Sequence, residues 1–175
     1  MNNELSRWEG QWDNFEFYIH SSEPHLVKSW NEAETLASVM PMFSSGVKSF
    51  WEKACITVTD ENPSVIGGWN VRSVNENELS IEWYKEDGSI LYSSSYTLDS
   101  VIEKGLENKH NLLLVSEDSK NSPFHYVLLM EPMPATKENG LIPHFHFQYG
   151  SHKENMIDPE TGKLVNPMWY ATMCA

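Results

Sequence analysis

Cysteine is scarce in this chain. Cys55 and Cys174 are the only two in 175 residues, and by spacing they make neither a metal-type nor a redox pair. The simpler expectation is two reduced thiols in a cytoplasmic chain. Basic residues are also few, 12 against 25 acidic, for a formal charge of −13. Such a surface repels nucleic acid and anionic lipid and mildly favours cations, so neither a nucleic-acid nor a membrane partner is expected. No apolar run approaches the roughly 18 residues that a membrane span needs. The opening Met-Asn-Asn-Glu-Leu-Ser carries no basic n-region and no apolar h-region, so no secretory signal is read there. Repeats, His-rich tracts and low-complexity linkers are absent. So are a Gly-x-Ser-x-Gly elbow and a Gly-x-Gly-x-x-Gly or phosphate loop, which removes the usual signatures of nucleophilic hydrolysis and nucleotide binding.

What is present is aromatic. Seven Trp, seven Tyr and seven Phe within a 40% apolar composition argue for a folded globular protein. The length suits one domain over 1–175 with a sizeable core. Near the start, Gly10-Gln11-Trp12 is a unit that lets the backbone turn closely while an indole plugs the bottom of a small barrel; the plainer reading is an ordinary amphipathic segment. Two short helices are expected within an insert over about 29–54. One runs over 32–40, capped by Ser29 or Asn31 and stopped by Pro41. The other runs over 47–54, capped by Ser44 or Ser45, with Val47, Phe50 and Trp51 at helical spacing. After Cys55 the pattern alternates with period two. Strands are predicted over 64–74, 78–84, 89–98, 111–116, 124–131 and 144–150. Asn75-Glu76-Asn77 and Glu86-Asp87-Gly88 supply turns, Asp-Gly being a strong hairpin signal. The expectation is an all-β fold, an antiparallel sheet closing into a barrel with a small helical insert. Asp158 to Gly162 reads as a turn, and Pro167-Met168-Trp169-Tyr170 as an apolar cluster against the barrel.

The stretch that carries chemistry is Pro143-His144-Phe145-His146-Phe147-Gln148-Tyr149-Gly150. Alternation puts both histidines on one strand face and the aromatics on the other. Their Cα atoms then stand about 6.6 Å apart, which suits two imidazoles converging on one ion. The bland alternative, two histidines solvated on a polar face or satisfying backbone acceptors around a barrel mouth, is about as common. His20, His25 and His110 lie in polar context and read as surface residues.

The order of these features resembles the ZinT (YodA) family of zinc-binding, lipocalin-like proteins, whose domain also occurs fused to zinc-transport solute-binding proteins. The resemblance rests on Leu5-Ser6-Arg7-Trp8-Glu9-Gly10-Gln11-Trp12, on the His144-Phe145-His146 strand and on Trp169-Tyr170 near the end. It implies a calycin-type β-barrel that binds Zn2+ or a similar divalent ion at its mouth. In the family a third histidine joins the pair from the end of the preceding strand, after an acidic residue. The matching position here is Glu131-Pro132. Glu131 is the expected replacement, since a carboxylate binds zinc and hairpin pairing brings that strand end near His144. His152 and His125 are the other candidates, and Mn, Ni or Fe are alternative ions.

Three functions fit these residues: a metal-binding barrel that sequesters or buffers zinc, a metal-free barrel holding a small apolar ligand, and a metal-dependent barrel enzyme. The last has the least support. The first acidic residue after His146 is Glu154, which does not match the spacing of His-x-His barrel enzymes that use iron or manganese.

Overall fold

A computed structural model describes residues 4–37, 39–54, 66–102, 110–118, 122–133, 144–165 and 171–174. Eight strands are present among them: β1 (Gly10–Asn14), β2 (Gly68–Asn75), β3 (Glu78–Tyr84), β4 (Ile90–Ile102), β5 (Asn111–Ser116), β6 (Tyr126–Met130), β7 (His144–Gly150) and β8 (Ala171–Cys174). Each pairs antiparallel with the next, and β8 returns to β1 through Asp13↔Cys174 and Asn14↔Met173, closing the barrel. Closure leaves no open sheet edge. The expected all-β antiparallel calycin-like barrel is therefore what forms. Six strands fall where the alternation puts them; β1 and β8 are additional. The predicted cluster at 167–170 lies outside the described residues.

The barrel is filled rather than hollow. Pleating sends alternate residues inward, and half of the buried residues of that core are rings. Trp69 lies 4.4 Å from Phe147 and 4.5 Å from Trp83, centroid to centroid, and Trp83 lies 4.4 Å from Phe124. Leu5, Trp8 and Trp12 of the N-terminal segment join this core. Gly10 adopts φ +130°, a conformation natural to glycine, and Trp12 then packs edge-on to Phe145 at 4.5 Å, with its Nε1 donating to the Trp8 carbonyl. The buried Tyr96 hydroxyl donates to the Phe124 carbonyl at 2.6 Å.

A second cluster lies outside the barrel wall. It is built on α1 (Phe15–Ile19), α2 (Pro24–Ala37) and α3 (Val47–Ala54), through Phe15, Ile19, Trp30, Phe43, Val47 and Trp51. Asn14 caps α1, accepting from the Glu16 N–H. α2 begins at Pro24, earlier than expected, because proline at a first helical turn loses no hydrogen bond. Ser29, expected as a cap, is inside the helix and donates back to the His25 carbonyl. α3 has the expected bounds but a different cap. The Glu34 carboxylate reaches across from α2 to accept from the Val47 and Lys48 N–H groups at 3.0 and 3.1 Å. A third, smaller cluster covers the outer face of β5 and β6, where Met156 and Ile157 meet Ile102, Leu113 and Leu128.

Candidate metal centre

Every residue of β7 is buried. Phe145, Phe147 and Tyr149 point into the barrel core. His144 and His146 therefore face outward, yet they are only 1% and 4% exposed, because the helical layer covers them. Their ring centroids are 5.0 Å apart. The Trp51 indole of α3 stands edge-on to His144 at 4.5 Å and stacks against His146 at 6.0 Å, while Phe15 of α1 lies 6.1 Å from His144. The imidazoles are thus on the outer wall beneath α1 and α3, and they are not the solvated pair of the bland reading. Trp51 Nε1 is buried with no hydrogen-bond partner among the described residues, and one strand beyond β6 so are both amide atoms of Asn111 on β5.

Glu131 does not join the pair. Val127 and Leu129 point inward, so the pleat turns Glu131 to the face opposite the histidines. There its carboxylate forms an ion pair with Arg7 of the N-terminal turn. Its strand end does approach β7 as expected; its side chain leaves on the other side. His125 is buried at the far end of β6, near Ser116 and against Tyr126. His152 is exposed beyond the C-terminal end of β7, beside Glu154. Among the described residues, no three His, Cys, Asp or Glu side chains are grouped to hold a metal ion. The two imidazoles fit as half of a zinc ligand set, since zinc takes four ligands, or three and a water.

Sheet register places other residues around the histidines that sequence spacing does not reveal. Leu128 and Leu129 pair with Gln148 and Phe147, so the next residue, Met130, comes alongside His146 on the outer face. Met133 bridges His144 directly, with hydrogen bonds in both directions (2.7 and 3.1 Å). On the other flank, Cys174 is the register partner of His144.

No protein-family model matches the sequence, and no curated protein matches it. Solved structures do match in fold. The Zn(II)-bound ZinT-like domain of Streptococcus pneumoniae AdcA is 15% identical, with a TM-score of 0.52 over 99% of this chain and 83% of that one. Zn(II)-bound AdcA from the same organism is 16% identical, with a TM-score of 0.50 over 98% of this chain. The chain spans only 32% of that longer protein. The closed barrel with its helical layer is therefore an architecture shared with the ZinT-like domain.

Proposed function

We propose that this chain binds a transition-metal ion, zinc in the first instance, through His144 and His146, and that it sequesters or buffers that ion. The observation that carries the reading is the burial of two adjacent imidazoles, centroids 5.0 Å apart, beneath Trp51. Neutral imidazole is a common metal ligand, and two held this close on one strand face can bind one ion through two coordinate bonds. The likeness to two Zn(II)-bound structures supports the same reading. Glu131 can become a third ligand only by leaving Arg7. The filled interior disfavours an apolar ligand inside the barrel, since Trp12, Trp69, Trp83 and their neighbours occupy it.

Elemental analysis of protein purified without a tag or chelator tests this, with wild type beside His144→Ala/His146→Ala. About one equivalent of zinc in wild type and none in the double variant is expected. Binding should weaken below about pH 6.5, where imidazole protonates in competition with the metal. No metal in wild type, together with no thermal shift on adding zinc, overturns the proposal. Iron or manganese in place of zinc redirects it to the barrel-enzyme reading.

A further inference from the structure

We propose that the His144–His146 pair is the nitrogen half of a soft-metal site completed by the thioethers of Met130 and Met133, and that this site holds monovalent copper as well as the zinc that the imidazoles take. This rests on the reading that the imidazole pair binds metal, and it adds a second, soft ion to it.

The placement comes from register. From Leu129 to Met133 β6 and its extension advance four residues, while β7 advances three, from Phe147 to His144. The extra residue is a bulge, and a one-residue slip turns the residues beyond it to the other face. Without it Met133 would share the inner face with Leu129. With it, both methionines lie on the outer face, Met130 beside His146 and Met133 opposite His144. Pro132 sits in this irregular stretch, where a missing N–H breaks no ladder bond. Met130 is 2% exposed and Met133 8%.

Methionine in such a place is ordinarily a core filler. Two observations separate this pair from that role. Among the described residues, neither methionine is grouped with the apolar cluster of the barrel, of the helical layer or of the β5–β6 face. In addition, Asn111, the register partner of Met130, is fully buried with neither amide atom partnered among the described residues, a polar side chain on the outer face in register with Met130.

The chemistry of the set identifies the second ion. Thioethers and imidazoles together favour Cu(I), whereas zinc takes thiolate, imidazole or carboxylate and gains little from a thioether. The carboxylate that could harden the site, Glu131, faces away to Arg7. All four donors are neutral, and ion solvation energy scales with the square of the charge. Burying a dication among them costs roughly four times as much as burying a monocation. Trp51 shields the pair from water and offers an indole face to a desolvated cation.

Competition titrations test this anaerobically, with a chromogenic Cu(I) chelator in one series and a zinc chelator in the other. The proteins are wild type, Met130→Leu/Met133→Leu and His144→Ala/His146→Ala. Leucine keeps the volume, so the methionine variant retains the fold, which its melting curve checks. Wild type should take one equivalent of Cu(I). The leucine variant should lose about a hundredfold in Cu(I) affinity, the upper end of what loss of even an outer-sphere partner costs, while its zinc affinity stays put. Unchanged Cu(I) affinity in that variant overturns the soft site; zinc binding that still depends on the histidines then leaves the metal-binding reading intact. Binding of neither ion by wild type overturns both. X-ray absorption of Cu(I)-loaded wild type is independent of any variant: sulfur in the first coordination sphere is expected, and nitrogen or oxygen alone overturns the proposal.

Discussion

The inner face of β7 sets Phe145, Phe147 and Tyr149 among the tryptophans of the barrel, whereas the outer face of the same strand sets His144 and His146 under Trp51 and Phe15. The two faces are equally dry, but burial acts on them in opposite directions. Rings gain from leaving water, by about 1.5–3 kcal/mol for a fully buried large side chain. Imidazoles lose hydration and must recover it through hydrogen bonds or an ion. One face of the strand therefore holds the fold together, and the other is a candidate for function. The largest expected effect lies on the inner face: Phe147→Ala should cost about 3–5 kcal/mol, read as a lowered urea midpoint, because neighbouring rings cannot collapse into the space. A cost below about 1 kcal/mol would show that the interior is looser than its ring contacts indicate.

The helical layer makes the outer face dry, and Glu34 of α2 caps α3 within it. Glu34→Ala should cost about 0.5–2 kcal/mol, as loss of a cap does, and should also weaken metal binding by loosening Trp51. A stability loss with unchanged metal affinity would separate the cap from the site. His146→Leu should change apo stability by less than about 1.5 kcal/mol while removing metal, the reverse of the Phe147 pattern. Equal destabilisation at the two positions would erase the distinction between the faces. Arg7→Ala breaks a partly exposed pair worth up to about 1 kcal/mol and frees the Glu131 carboxylate. A rise in zinc affinity in that variant would show that Glu131 can cross to the metal once released; no change would keep it on its own face.

Much of this contrast was legible in the sequence. Period-two alternation marks β3, β5 and β7 to the residue, and it puts both histidines on one face. β4 runs on to Ile102 because a register shift between Leu98 and Ser100 breaks the alternation that a reader follows. β8 escapes notice since Ala171-Thr172-Met173-Cys174 is short and half of it has weak strand preference. The surroundings of the histidines could not be read from spacing. Glu131 is correctly placed at the strand end, but its face depends on the pleat. Met133 reaches His144 only through a bulge, and Trp51 and Glu34 arrive through tertiary packing. Pro132 was the available signal of irregularity, though it does not say which residues the irregularity turns outward.

The smallest effect expected lies away from both faces, where Lys153 ties the segment after β7 to Asp99 on β4. Partial burial pushes the Asp99 carboxyl up, but hydrogen bonds from Lys153 and Ser100 and the Lys153 charge together hold it below the usual carboxylate range. A carboxyl depressed in the folded state adds stability above its unfolded pKa of about 3.9, and that contribution is lost as pH falls through the folded value. Lys153→Met should therefore lower stability at neutral pH by no more than about 1 kcal/mol, the scale of a surface pair, and should flatten the acid limb of the stability profile. Metal affinity at His144 and His146 should not move, because the tether acts on the β5–β6 cover through Met156 and Ile157 rather than on the helical layer. A metal effect from Lys153→Met would mean that the two outer covers are coupled through the barrel wall.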